Sequence, residues 1–140
     1  MAADFGVDVV LDAADPDLLA KIREAARPGR MLHAVDASGN PVAERLCMDA
    51  MEPCGTVSVA GENHREIPIE PSRDFIRKGL TLLGVWHYDL SDCGAMTALL
   101  RRSPLGPKRV THTFGFSHAQ EAFDTFMAGD ACKVVLHPWE

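Results

Sequence analysis

The sequence predicts an α/β fold in which a parallel sheet is covered by helices on both faces. Short β-branched and aliphatic runs alternate with stretches whose apolar residues recur at helical spacing. The runs are nearly continuously apolar, as strands buried on both sides are. Several end in short glycine-containing loops that open into a segment with a good helix-capping residue. The 140 residues are 46% hydrophobic and 24% charged, enough for a packed core and a length that suits one domain.

The first predicted strand is Val7 to Leu11, bounded by Gly6 and by Asp12-Ala13-Ala14. Asp15 with Pro16 then starts a helix whose Leu18, Leu19, Ile22, Ala25 and Ala26 share a face until Arg27-Pro28-Gly29 ends it. Met31 to Val35 is the second strand, ending in Asp36-Ala37-Ser38-Gly39-Asn40, where Asn40 can cap a helix beginning at Pro41. That helix is predicted to bury Ala43, Leu46, Cys47 and Ala50 and to stop near Pro53-Cys54-Gly55. Thr56 to Ala60 is the third strand and runs into Gly61-Glu62-Asn63-His64. A loop with Pro68 and Pro71 leads to a helical stretch around Arg73 to Lys78.

Leu80 to Trp86 is the fourth strand, followed by a helix that Ser91 can cap and that carries Met96, Leu99 and Leu100. Ser103-Pro104-Leu105-Gly106-Pro107 breaks it and is the one plausible sub-boundary. Beyond lie a strand from Arg109 to Phe114, a helix from Ser117 with Gln120 placed for a capping box, and a last strand from Lys133 to Leu136. The last helix is predicted to bury Ala119, Ala122, Phe123 and Phe126.

Composition narrows the function. Fourteen basic against 20 acidic residues give a net charge of −6, with the basic residues scattered, which argues against nucleic acid and anionic membranes as partners. No apolar run nears the roughly 20 residues of a bilayer span, and the amino terminus lacks the pattern of a signal peptide, so a cytoplasmic location is expected. Cys47, Cys54, Cys93 and Cys132 lie far apart with no C-x-x-C, which predicts four reduced, mostly buried thiols and no zinc cluster. His112 and His118 match no zinc spacing, and Glu62 with His64 reads as a local loop pair.

In parallel sheets ligands sit outside the carboxyl ends of the strands. Three strands here end in glycine-containing loops: Asp36 to Asn40, Val59 to Glu62, and Leu83 to His87. Glycine there lets a ligand approach the backbone closely, and it is also what any tight turn between strand and helix uses.

The segments Val35-Asp36-Ala37-Ser38-Gly39-Asn40-Pro41, Gly55 to Glu62, Lys78 to Trp86, Gln120-Glu121-Ala122-Phe123 and Cys132 to Pro138 occur in an order and spacing that span nearly the whole chain. Together they resemble the medium-chain dehydrogenase/reductase superfamily, specifically the carboxyl-terminal portion of its zinc-dependent alcohol, polyol and threonine dehydrogenases. The resemblance implies a partial Rossmann-type, doubly wound parallel sheet, holding strands three to six of an order 3-2-1-4-5-6, plus a segment returning to the catalytic domain. It divides the chain into residues 1–103, the carboxyl-terminal part of an NAD(P)-binding domain, and 104–140, the return segment.

By the same resemblance Ser38, Gly39 and Asn40 pass beside the adenosine side of an NAD(P) cofactor. Ala60, Gly61, Glu62, Val85 and His87 face the nicotinamide, and Lys133 lies near the pyrophosphate. Ordinary strand packing accounts equally for Ala60 and Val85, and a solvated lysine for Lys133. Asp36 could orient a ribose hydroxyl, although its strand is not the one that usually does so.

The family's G-x-G-x-x-G turn, the acidic residue about 20 positions after it, and the zinc ligands of the amino-terminal domain have no counterpart in this sequence. The resemblance therefore implies an NAD(P)-dependent zinc enzyme that is inactive as this isolated chain, either half of a split enzyme or the product of a truncated reading frame. The alternative is a non-catalytic cofactor-binding or dimerisation module, pairing through the Leu80 to Trp86 edge and completed by a separate amino-terminal half. Without strands one and two, the outer edge of Met31 to Val35 is expected to be unpaired and Val7 to Leu11 to be stranded or re-paired.

Overall fold

In a computed structural model the described residues are 2–103, 108–129 and 131–140. They form two compact units, Met1–Tyr88 and Asp89–Glu140. Pro104 to Pro107, at the centre of the predicted sub-boundary, lie outside the described residues.

The first unit contains helix α1 (Leu18–Ala25), strand β1 (His33–Asp36), helix α2 (Pro41–Ala50), strand β2 (Thr56–Val59), a π-helical turn (Pro71–Ile76) and strand β3 (Thr81–Gly84). The three strands are parallel in the order β1-β2-β3. Ala34, Val57 and Leu82 lie side by side in this register, as do Asp36, Val59 and Gly84. Because side chains alternate along a strand, these six share one face. That face is the covered one. Met48 and Ala50 from α2, and Met51 just after it, pack with Val57 and Leu80, and Leu19 and Ile22 of α1 close the cluster.

The opposite face carries Val35 and Leu83, which are 67% and 48% exposed. Among the described residues of this unit the helical cover expected on both faces is thus found on one. Apolarity of a strand records what can be buried on each side, not which element does the burying.

Two further expectations change. Val7 to Leu11 forms no strand, and Val7, Val9 and Val10 are exposed. A strand needs a neighbour for its peptide groups, and none of the three paired strands takes that place. β1 is accordingly an edge strand with its outer side unpaired among the described residues, as expected. Helix α1 begins at Leu18 rather than Pro16, because Asp15 Oδ1 accepts from the Asp17 backbone N–H at 2.8 Å and holds a turn ahead of it. Asn40, by contrast, caps α2 as predicted, its Oδ1 accepting from Val42 N–H at 2.9 Å with Pro41 in the first turn.

The inward face of α2 is rotated from the expected one. Glu44, Met48 and Ala50 are buried, while Ala43, Leu46 and Cys47 are only half-buried. Met48 is 1% exposed and Val57 0%, so these two sit at the centre of the core.

The second unit contains helix α3 (Cys93–Arg102), strand β4 (Val110–Gly115), helix α4 (Ala119–Met127) and strand β5 (Lys133–His137). β4 and β5 are parallel, and α4 crosses between them and packs on both. Ser91 does not cap α3, whose N-cap Asp92 makes no side-chain capping bond; Asp89 instead caps the 3-10 turn Leu90–Asp92 ahead of it, accepting from Ser91 N–H at 2.8 Å. The predicted capping box of α4 does not form, since the helix starts at Ala119 and Gln120 instead donates to Asp124 Oδ1 at 3.0 Å. Ala122 is buried, but Phe123 and Phe126 are 65% and 55% exposed, because a two-stranded sheet covers only a narrow stripe of the helix.

All four cysteines are free. Cys47 is half-buried and Cys54, Cys93 and Cys132 are exposed, which corrects the expectation of mostly buried thiols. Among the described residues no helix is long and apolar enough to cross a membrane.

Candidate functional site at the strand ends

The parallel register brings the carboxyl ends of β1, β2 and β3 together, so Asp36, Val59 and Gly84 stand in a row with their following loops beside one another. The first loop is organised by Asp36 itself. Its Oδ1 accepts from the Ser38 hydroxyl at 2.6 Å and from Ser38 N–H at 3.2 Å, while Oδ2 accepts from Gly39 N–H at 3.2 Å. Asp36 is 3% exposed, and all three of these hydrogen bonds tie its carboxylate to its own loop.

The second loop rests on the first through two glycines. Ala60 and Gly61 N–H both donate to the Asp36 carbonyl, at 2.8 and 3.0 Å. A Cβ on Gly61 would lie 2.1 Å from Gly39 N, and one on Gly39, whose φ is +63°, would lie 2.3 Å from the Glu62 carbonyl oxygen. These two glycines therefore answer to loop-on-loop packing. Gly84 differs, for no atom lies within 4 Å of a Cβ built there.

Beside the row lies a cleft of about 610 Å³ whose lining includes Ala60, Gly61, Glu62, Gly84, Val85 and Glu44. Gly84 shares the strand face of Leu82, which also lines it, so the open space above Gly84 belongs to this cleft. Glu44 forms a polar wall. It is 5% exposed and its Oε2 accepts from Asn63 Nδ2 at 2.9 Å. Asn63 in turn shapes its loop, with Oδ1 accepting from Arg65 N–H at 2.8 Å.

The rest of the loop is held by Arg45. Its guanidinium donates to both oxygens of Asp74 at 2.8 Å, to Asp49, and to the Pro68 carbonyl at 3.0 Å. Asp74 also accepts from Glu70 N–H at 2.9 Å and from Arg73 Nε at 3.0 Å. The Arg45 hydrogen bonds, foremost, hold the Asp74 carboxyl well below the usual carboxylate range.

The expected site residues distribute as follows. Ser38 and Gly39 meet Gly61 and Glu62 directly through the two loops, while Asn40 caps α2 beside them. Ala60, Gly61, Glu62 and Val85 line one cleft. His87 follows on the same chain segment with φ +54°, its ring edge-on to Trp86 at 4.1 Å. Lys133 is an exposed residue at the start of β5 in the second unit. The Glu62 and His64 side chains come within 3.8 Å but both are well exposed, as a loop pair should be.

Sequence reasoning missed Glu44, Asn63, Arg45 and Asp74. One signal was available, since Glu44, Met48 and Met51 fall at i, i+4 and i+7, placing an acid on a core-facing row of the helix.

A parallel three-stranded sheet with its loops gathered at the carboxyl ends is the arrangement of nucleotide-binding α/β proteins. The family profile described as zinc-binding dehydrogenase matches residues 1–102. The chain belongs to that family and corresponds to the carboxyl-terminal portion of its members. It is 26% identical to the L-threonine 3-dehydrogenase of Caldanaerobacter subterraneus subsp. tengcongensis, over 99% of this chain and 41% of that protein. With the L-threonine 3-dehydrogenase of Legionella pneumophila (strain Corby) the identity is 30% over 84% of this chain and 36% of the relative. The chain thus spans about two fifths of the length of the curated relatives it matches.

Among solved structures, an alcohol dehydrogenase from Thermotoga maritima superposes with a TM-score of 0.85 at 24% identity, covering 97% of this chain and 39% of that one. A short chain alcohol dehydrogenase from E. coli CFT073, crystallised with NADH, gives a TM-score of 0.80 at 18% identity, covering 96% of this chain and 40% of that one. These two likenesses bear on the fold.

Among the described residues no group of three or more His, Cys, Asp and Glu side chains could hold a metal ion. The residues described here do not fit the zinc of the family's name. The strand ends do fit a flat ring laid against backbone, because Gly84 leaves its space empty and Ala60, Gly61 and Val85 border it.

Proposed function

We propose that this chain is the carboxyl-terminal portion of a cytoplasmic, zinc-type NAD(P)-dependent dehydrogenase, an oxidoreductase moving hydride between an alcohol or polyol carbon and nicotinamide. One observation carries the reading: the strand register sets the loops after Asp36, Val59 and Gly84 side by side at the carboxyl edge of the sheet, and the last two line one cleft there. Residues 1–103 serve as cofactor domain and 104–140 as a return segment of the catalytic domain. The names of the relatives make L-threonine the first alcohol to test.

In this reading the chain binds and orients. Ser38, Gly39 and Asn40 border the adenosine side, Ala60, Gly61, Glu62, Val85 and His87 border the nicotinamide, and Lys133 attends the pyrophosphate. When bound, the nicotinamide supplies the hydride acceptor. The Gly39 and Gly61 contact fixes the loops, so the cleft wall keeps its shape and the ring presents one face to the substrate. The isolated chain turns nothing over, because polarising the substrate oxygen falls to residues outside this set. Assay of the chain with NAD+ and NADP+ against L-threonine, simple alcohols and polyols should show no turnover. Turnover that survives a chelator would refute this.

A second reading, a non-catalytic cofactor-binding or dimerisation module, is favoured by one feature. Among the described residues β3 is an edge strand with Leu83 exposed, and Val85 and Trp86 just after it are exposed too, which suits strand pairing between two copies. Sedimentation of the wild type and of Leu83→Lys decides it: a dimer abolished by the lysine supports edge pairing, and a wild-type monomer rejects it.

A further inference from the structure

Glu44 is an acid where helix α2 otherwise presents Met48 and Ala50 to the core. It is 5% exposed, and its one hydrogen bond runs from Asn63 Nδ2 to Oε2 at 2.9 Å. No donor among the described residues reaches Oε1. Since no fully buried side-chain oxygen is left without a partner there, Oε1 keeps a small accessible surface, and Glu44 lines the cleft at the strand ends. A largely buried carboxylate with one oxygen open to a cavity can accept a donor, or meet a positive charge, that enters the cavity. The other charged side chains of the cleft are Glu62 and Arg65, so acids outnumber bases on its walls.

We propose that Glu44 is a specificity-determining residue of this cleft, selecting a positively charged aromatic ring that carries an amide donor: the oxidised nicotinamide rather than a neutral ring of the same shape. The inference rests on the cofactor reading given above. It adds that the cleft prefers the oxidised state, through a carboxylate supplied by α2 rather than through the backbone of the strand ends.

The test is a titration of the isotope-labelled full chain followed by amide NMR. Its probes are 1-methylnicotinamide, a cation with a carboxamide, and benzamide, its neutral counterpart. The wild type should move the Ala60, Gly61 and Val85 amides with both and bind the cation about tenfold more tightly, the value of roughly one charge-assisted hydrogen bond. Glu44→Gln keeps the shape of the side chain and an acceptor for Asn63. It should bring the two affinities within about twofold of each other.

Equal affinities in the wild type, or an unchanged preference in Glu44→Gln, would overturn the inference. The wild-type comparison needs no variant, so a folding defect in Glu44→Gln leaves the proposal exposed to refutation. NADH, added as a third probe, separates the two readings. If it moves the strand-end amides while Glu44 confers no preference, only this inference falls. If no probe moves them, both fall.

Discussion

Arg45 and Asp74 face each other through two parallel hydrogen bonds of 2.8 Å, one to each carboxylate oxygen, with the Asp74 side chain 1% exposed. They are 29 residues apart, so the pair fastens the segment after β2 to helix α2. Removing Asp74 takes two of the Arg45 hydrogen bonds away and frees the segment that Asp74 anchors. Asp74→Ala is predicted to destabilise the first unit by about 2–3 kcal/mol in urea unfolding, a cost set by the lost Asp74 hydrogen bonds, since Arg45 keeps Asp49 and the Pro68 carbonyl. A loss below about 1 kcal/mol would show that the pair does not hold the loop.

The same pair sets an acid limit. Asp74 has its carboxyl held down by Arg45 in the folded state, so the folded protein binds this proton less readily than the unfolded chain. Its stabilisation is complete above the unfolded carboxyl value of about 4 and is lost as pH falls below it towards the depressed folded value. Urea midpoints should therefore drop from pH 5 to pH 3, and the drop should be smaller in Asp74→Asn. Equal slopes in both proteins would contradict the assignment.

Three glycines that look alike in sequence should behave differently. Gly61→Ala places a Cβ 2.1 Å from a backbone nitrogen, and Gly39→Ala adds strain at φ +63° to a 2.3 Å contact with a backbone oxygen. Each is predicted to cost about 1–3 kcal/mol or more. Gly84→Ala meets nothing within 4 Å and should leave stability unchanged or raise it by about 0.5 kcal/mol. It should nonetheless weaken NADH binding, because the methyl group occupies the cleft. A destabilised Gly84→Ala, or one that binds normally, would remove Gly84 from the site.

Asn40 gives a simpler prediction. Its side chain satisfies the Val42 N–H at the start of α2, and Asn40→Ala should cost about 1 kcal/mol with no change in the fold. Thermal or urea unfolding reads this directly.

The sheet order predicts a gradient of amide exchange. β2 is bonded on both sides and β1 and β3 on one, so the Val57 and Val59 amides should be among the slowest and alternate amides of His33 to Asp36 markedly faster. Uniform strong protection across His33–Asp36 would mean that the outer edge of β1 has found a partner.

What the sequence made legible was local or periodic. Asn40-Pro41 announced the start of α2, and Thr56 to Val59 carried its strand in β-branched residues. The meeting of the Ser38 to Asn40 loop with Gly61 and Glu62 followed from parallel strands. Partners set by tertiary context stayed hidden. Phe123 and Phe126 have helical spacing but too narrow a sheet beneath them, whereas Val7 to Leu11, expected to be stranded or re-paired, is unpaired among the described residues. Glu44, Asn63, Arg45 and Asp74 were out of reach for a related reason. A charged residue on a helix reads as solvated until the fold shows which carboxylate or amide it meets.

The most direct measurement is the amide NMR titration of the full chain with NADH. Progressive shifts centred on Ala60, Gly61 and Val85, with the remote face of Val35 and Leu83 unmoved, are the predicted result. Shifts absent from those three residues while others respond, or no response at millimolar NADH, would contradict the placement of the cofactor at the strand ends.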